Sequence, residues 1–285
     1  MGLIQPSGKR SRLRVFPTIG RVIGLSAVAF FAIGPLCWMV ASSFRPETEL
    51  FQDPPQLISS GITLDWYREV FVGSEVLKWF NNSFTIAVLV TVLSVVMGTL
   101  GGYAITRFIF PGRRVFMGAL LMSYLFPAIL LLIPMYLLLS YLNLIGTIAG
   151  VVLAHLAITL PLSIFLMASF ANSVPRELEE AALIDGLGLF GAFLRVAIPL
   201  MRTGIATTCL FAFILSWDEY LFSSAIAQGK AITVPVALAG FVTSFDIRWG
   251  AIMALSTLVS LPIVLLFGFL ERYFEKGLTM GSVKG

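Results

Sequence analysis

Apolar and polar positions along this chain fall in long blocks, not at the period of a strand or of an amphipathic surface helix. Six predominantly apolar stretches stand out: Val22–Phe44, Ser83–Thr106, Val115–Leu139, Thr147–Phe170, Thr203–Ser224 and Gly250–Leu270. Each is long enough to cross a bilayer as a helix, which takes about 20 apolar residues. No two-residue alternation lasts long enough for the strands of a membrane barrel. The pattern predicts an all-α integral membrane protein with six transmembrane helices.

The longest polar gap, Arg45–Asn82, is broken by Pro54 and Pro55 and carries Trp66, Tyr67, Trp79 and Phe80, side chains suited to a membrane interface. It reads equally as a connector and as part of a docking surface for an external partner. Pro35, Pro127, Pro134, Pro161 and Pro262 lie in or near spans, and each removes a backbone donor and bends its helix. Gly98, Gly101 and Gly102, and the pair Gly146 and Gly150, would let helices approach closely, with ordinary packing the favoured reading.

Composition agrees with a lipid environment. Of the 285 residues, 58% are hydrophobic and 12% charged, against about 45–50% and about 25% in a soluble domain. That excludes a soluble enzyme, a nucleic-acid binder and a disordered chain. The single histidine, His155, rules out a multi-histidine metal site and a histidine relay; its predicted role is a hydrogen-bonded packing residue. Cys37 and Cys209 lie in apolar runs and read as small apolar side chains.

Charge then sets orientation. With the N-terminus in the cytoplasm, five of the 19 basic residues face out (Arg45, Arg68, Lys78, Lys230 and Arg248) and the rest face in. This bias predicts cytoplasmic N- and C-termini. The net charge of +4 is thus a topology signal, with no nucleic-acid role. Residues 1–21 form a basic cytoplasmic N-terminus whose apolar continuation reads as an uncleaved signal anchor. Residues 22–270 form the transmembrane domain, and 271–285 a cytoplasmic tail.

Charges inside the spans are scarce. Asp218 and Glu219 stand in Trp217-Asp218-Glu219-Tyr220, about 24 Å along a helix from Arg202 and so near the outer end. A buried carboxylate needs water, a partner or neutralisation. Asp218, and less so Glu219 and Tyr220, therefore read as residues of a hydrophilic pathway or as an interfacial anchor.

The most informative segment is the inside loop 173–199. Ser173 or Pro175 can start a helix, and the acids Glu177, Glu179 and Glu180 suit its positive N-terminal end. Asp185-Gly186 ends that helix or turns the chain. A second short amphipathic stretch follows, with Phe190, Phe193, Leu194 and Ala197, and Pro199 breaks it before span five. The prediction is a helix, a turn and a helix on the cytoplasmic side. It is either a knob for a socket on another protein or a loop packed on its own membrane domain.

Glu180-Ala181-Ala182, three residues, Gly186, nine residues and Val196-x-Ile198-Pro199 resemble the EAA loop of binding-protein-dependent ABC importer permeases. Spacing matches throughout, with Val and Ile as mild replacements, and Asp185 fits before the glycine. Trp217-Asp218-Glu219-Tyr220 is similar to a Trp-Asn-Glu-Tyr/Phe segment of carbohydrate-type permeases, with Asp218 in place of the usual Asn. The end, Lys276-Gly277-Leu278-Thr279 through Val283-Lys284-Gly285, is similar to the C-terminal signature of the maltose-type subgroup.

The resemblance implies the type I ABC importer membrane-subunit fold in a bacterial or archaeal cytoplasmic membrane. It implies that Glu180, Ala181, Ala182, Asp185, Gly186 and Pro199 couple the chain to a cytoplasmic ATPase, and that Gly277, Leu278 and Thr279 touch that ATPase. It further implies two ATPase subunits, a second permease chain (related but different), an extracytoplasmic binding protein and a sugar substrate. The loop Ala225–Trp249 resembles by position the segment that probes the binding protein. The chain has no Gly-x-x-x-x-Gly-Lys-Ser/Thr pattern, so ATP would be bound by the separate ATPases and the chain carries no cofactor, catalytic or metal site of its own. Two other transport readings stay open: an ion-gradient-driven secondary transporter, and an importer of a non-sugar solute such as glycerol phosphate. A membrane-embedded enzyme lacks any supporting residue set.

Overall fold

A computed structural model describes residues 12–50, 52, 61–72, 75–242 and 247–281, with the backbone path alone for 12–19 and 272–281. In chain order the helices are α1 (Arg12–Ser42), α2 (Glu47–Leu50), α3 (Asp65–Val72), α4 (Val76–Arg107), α5 (Arg113–Leu125), α6 (Ala128–Tyr141), α7 (Ile148–Ser173), α8 (Arg176–Ile184), α9 (Leu189–Ala192), α10 (Ile198–Leu200), α11 (Arg202–Trp217), α12 (Leu221–Ile226), α13 (Val234–Ala239) and α14 (Trp249–Gly281). A π-helical turn, Phe193–Ala197, joins α9 to α10, and a 3₁₀ turn, Gly229–Ala231, precedes α13. Among the described residues the only strand-like pairing is an isolated bridge between Val242 and Ile247.

Four helices are long and apolar enough to cross a membrane unbroken, and two bent pairs raise the number to six. The predicted third span, Val115–Leu139, is one such pair: α5 and α6 meet at 99°. Pro127 is the cause. It forces Phe126 out of the helical region, to φ −70° and ψ 133°, because its ring crowds the preceding residue. The other pair is 189–200 with α11, bent by 73°. The predicted fifth span, Thr203–Ser224, is interrupted: α11 stops at Trp217 and α12 starts at Leu221. The last helix continues past the predicted end of span six, to Gly281.

The chain divides into two units, Met1–Val72 with Arg248–Leu258, and Gly73–Ile247 with Val259–Gly285. In the first, the segment after α1 folds back on its end. Tyr67 hydroxyl lies 2.7 Å from Ser43 Oγ, and Trp66 Nε1 donates to the Arg45 carbonyl at 2.7 Å. Arg45 in turn stacks on the Trp38 ring at 4.5 Å. Val22, Leu25, Val28, Phe30 and Phe31 of α1 stay exposed, as an apolar helix in lipid can.

The second unit is built on the crossing of α4 and α7. A Cβ at Gly98 would meet Ser163 at 3.0 Å, and one at Gly102 the Ala168 nitrogen at 2.5 Å. Two glycines one turn apart thus bring the backbones into contact. Ser94 and Thr159 hydroxyls lie 2.9 Å apart across the same seam, and Thr159 and Ser163 donate back to carbonyls of α7. Gly146 and Gly150 serve ordinary local packing and not a helix crossing. Gly146 takes φ +74° in the turn before α7, and Gly150 packs against Leu144 of that turn. Thr147 Oγ1 caps α7 by accepting the Gly150 N–H at 3.1 Å. Trp217 at the end of α11 stacks on Phe213, with centroids 5.6 Å apart, and donates from Nε1 to the Val259 carbonyl of α14 at 3.1 Å.

Candidate functional site

The loop 173–199 folds as predicted into a helix, a turn and a helical return. Val174 and Pro175 are extended, and α8 begins at Arg176 with Glu177 and Glu179 in its first turn, where negative charge offsets the orphan N–H groups. The helix ends in a Schellman motif. Leu187 N–H donates to the Ala182 carbonyl at 3.0 Å and Gly186 N–H to the Leu183 carbonyl at 3.1 Å. Gly186 sits at φ +89° with open space where a Cβ would be. Backbone conformation alone therefore explains the glycine.

The helical return of the knob is anchored from beneath. Phe193, Ala197 and Met201 bury against Met167, Ala171 and Val174 at the end of α7, with Tyr103 of α4 alongside. The outer face is left open. Glu180, Ala181, Asp185, Gly186 and Pro199 are exposed, while Ala182 is buried. Around the turn Ile184 is 86%, Leu189 62% and Phe190 69% exposed. A small polar helix face thus stands beside a rim of exposed apolar side chains.

One acid of the trio behaves unlike its neighbours. Glu179 is only 7% exposed. It accepts from Tyr103 hydroxyl at 2.6 Å and from Arg107 Nε and Nη2 at 2.9 and 2.6 Å. Arg107 Nη2 also donates to the Val174 carbonyl at 2.9 Å, and Arg176 donates to the Thr106 carbonyl at 2.8 Å. In the sequence Glu179 reads with Glu177 and Glu180 as helix-end charge and Arg107 as an inward-facing base that sets orientation, and nothing there joins the two. The signal present is helical phase: Glu179 and Ala182 lie three apart on one face, and it is the face that α8 buries.

At the other candidate set, α11 ends and the chain turns through Asp218, Glu219 and Tyr220. Asp218 and Tyr220 are exposed and Glu219 is buried. Glu219 accepts the N–H of Phe222 at 2.7 Å, the N–H of Ser223 at 2.9 Å and the Ser223 hydroxyl at 2.9 Å, so it caps α12. His155 of α7, 1% exposed, sits 2.8 Å through Nδ1 from Ser216 Oγ and 3.0 Å through Nε2 from Ser223 Oγ. The histidine is a packed, hydrogen-bonded residue, as its sequence context predicts.

At the opposite end of α4 from Arg107, Asn82 Nδ2 donates to the carbonyls of Lys230 and Ile232, both at 2.9 Å, and Ser83 Oγ accepts the Val234 N–H at 2.8 Å. The stretch between α12 and α13 is therefore tied to the first turns of α4. Gly277, Leu278 and Thr279 lie in the last turns of α14, where only the backbone path is described, and residues 282–285 lie outside the described residues.

Residues 94–280 match the family model described as a binding-protein-dependent transport system inner membrane component. The chain belongs to this family. The match runs from the middle of α4 through the knob and both helix breaks to the end of α14. The chain is 35% identical over 261 residues to the trehalose transport system permease protein SugB of Mycobacterium tuberculosis, covering 90% of this chain and 94% of that one. It is 34% identical over 267 residues to the arabinooligosaccharides transport system permease protein AraQ of Halalkalibacterium halodurans, covering 92% and 95%. Its fold matches a bacterial ABC transporter involved in the import of the acidic polysaccharide alginate, with a TM-score of 0.77, 22% identity and coverage of 95% and 100%. This is a family of ABC transporter permease subunits, which lack an ATPase site of their own.

Proposed function

We propose that this chain is the membrane-spanning permease subunit of an ATP-driven importer for a sugar or oligosaccharide. An extracytoplasmic binding protein delivers the substrate. Two cytoplasmic ATPase subunits drive transport, and a second, related permease chain completes the pathway between them. Both termini and the knob lie in the cytoplasm, on the side that holds most of the basic residues. The observation that carries the reading is the knob itself: Glu180 and Ala181 stand exposed beside Ile184, Leu189 and Phe190, on a loop whose underside is packed. The trehalose and arabinooligosaccharide permeases aligned over 90% and 92% of the chain support a carbohydrate substrate.

In this mechanism Glu180 pairs with a base on the ATPase, Ala181 allows close approach, and Gly186 supplies the turn. ATP binding draws the two ATPases together and moves the knob. The spans then rock from inward-facing to outward-facing, where the loop beyond α12 meets the binding protein. Asp218 and Tyr220, exposed at the break after α11, are the pathway candidates, and Glu219 holds that break in shape. The tail residues Gly277, Leu278 and Thr279 run along the ATPase dimer.

The test is reconstitution of the chain with its ATPases, partner permease and binding protein in proteoliposomes. Uptake of at least one labelled sugar from a panel with trehalose, arabinotriose and glycerol 3-phosphate is expected, and only with ATP. Uptake driven by an ion gradient without the ATPases overturns the ATP-driven reading. Uptake of glycerol 3-phosphate and no sugar overturns the carbohydrate assignment. Glu180→Ala is expected to lose ATPase co-purification while the protein still inserts.

A further inference from the structure

Along the chain the knob follows the end of α7 through Val174 and Pro175, two residues with extended backbone. Such a joint holds a helix in place but does not fix its direction. Direction comes from α4, together with the packing of Phe193, Ala197 and Met201 on the end of α7. The Glu179 carboxylate receives three donors from the last turns of α4, from Tyr103 and twice from Arg107, and the same guanidinium also reaches the Val174 carbonyl. Arg176 answers from the knob to the Thr106 carbonyl. Both charged groups are nearly buried, with 9% of the Arg107 and 10% of the Glu179 side chain accessible. Two donors from a planar guanidinium fix angle as well as distance, which a lysine ammonium cannot do.

α4 is the right element to carry such a link. Its 32 residues extend about 48 Å at 1.5 Å per residue. Its C-terminal third is pressed against α7 at Gly98 and Gly102, and its far end holds the stretch after α12 through Asn82 and Ser83. A displacement of the knob that tilts α4 therefore reaches a segment at the other end of the helix.

We propose that Arg107 and Glu179 are positioning residues for coupling: their buried pair makes the knob and α4 one lever, so that ATPase motion is passed to the spans. The inference rests on the permease reading above and adds a division of labour within the acidic trio. Glu180 contacts the ATPase, and Glu179 passes the movement on.

The experiment uses the complete reconstituted transporter. It compares wild type, Glu179→Gln, Arg107→Ala, Arg107→Lys and Glu180→Ala, scoring ATPase co-purification, binding-protein-stimulated hydrolysis, and ATP consumed per sugar imported. Glu179→Gln and Arg107→Ala are expected to co-purify with the ATPases as wild type does and to raise ATP per sugar by about tenfold or more, the scale of a lost charge-assisted hydrogen bond. Arg107→Lys is expected to recover part of the coupling. Glu180→Ala is expected to lose the ATPases instead. An unchanged ATP-to-sugar ratio in assembled Glu179→Gln and Arg107→Ala overturns the proposal. So does loss of insertion or assembly in both, which would assign the pair to folding. A wild-type complex without ATP-dependent uptake fails the permease reading itself and is scored separately.

Discussion

Glu219 Oε2 lies 3.1 Å from His155 Nε2, joining the first third of α7 to the break between α11 and α12. Ser216 and Ser223 close the group, so every polar atom of the two side chains has a partner nearby. The buried acid is thereby a fastening for the break, and it leaves Asp218 and Tyr220 on the surface to either side. Glu219→Ala strips the Phe222 and Ser223 N–H groups of their acceptor in a buried site, at about 1–3 kcal/mol for each. A clear fall in melting temperature in detergent is expected, and a smaller one for His155→Ala. Asp218→Asn, at an exposed position, is expected to stay within about 0.5 kcal/mol of wild type. An Asp218→Asn variant as unstable as Glu219→Ala would contradict this division.

Much of the fold is legible in the sequence because lipid imposes one simple requirement, a run of apolar residues long enough to span. That criterion reads length and composition and is blind to direction. It treats 115–139 as one run although Pro127 turns the chain by 99° inside it. It also runs through Asp218 and Glu219, because an acid that caps a short helix and meets a histidine 64 residues earlier does not show in local hydropathy. The knob is legible for the opposite reason. Pro175, the acids after it and Gly186 are each demanded by local backbone rules. Which of the three acids is buried depends on where α4 ends in space, and that is a tertiary fact.

The α4–α7 crossing separates two adjacent glycines. A methyl group at Gly102 would stand 2.5 Å from the Ala168 nitrogen and 2.8 Å from the Met167 carbonyl carbon, both backbone atoms that cannot swing aside. At Gly101 the nearest atom is a side-chain carbon of Ile164 at 3.5 Å, ordinary van der Waals contact. Gly102→Ala is therefore expected to cost about 1–3 kcal/mol, the usual range for overpacking. Gly101→Ala is expected to be nearly neutral, with both measured by thermal unfolding in detergent. Equal stability of the two variants would argue against the close crossing.

Gly186 is held by conformation and not by space. With φ at +89° and nothing near its missing Cβ, Gly186→Ala costs roughly the 1–2 kcal/mol of a left-handed residue. Gly186→Asn, which visits that region more readily, is expected to cost less. Gly186→Pro cannot adopt a positive φ and lacks the N–H that reaches Leu183. In the reconstituted complex, ATPase co-purification and uptake are expected to fall in the order wild type, Asn, Ala, Pro. Full uptake by the proline variant would remove the turn from the coupling mechanism.

Asn82 offers a test at the other end of α4. Its side-chain amide gives one hydrogen to Lys230 and one to Ile232, so it is used as a double donor. Asn82→Asp preserves the shape but replaces both donors with an acceptor that faces two carbonyls. The aspartate variant is therefore expected to loosen the stretch 228–234 more than Asn82→Ala does, because alanine only leaves the carbonyls unpaired while aspartate also repels them. Amide hydrogen exchange in 228–234 reads this directly, with protection expected to fall in the order wild type, Ala, Asp. Ser83→Ala should add faster exchange at Val234, whose N–H it leaves without its acceptor. The α8 amides, at the far end of α4, should change little in all three variants, because Asn82 and Ser83 act on the loop they bind and the knob keeps its own bonds to Tyr103 and Arg107.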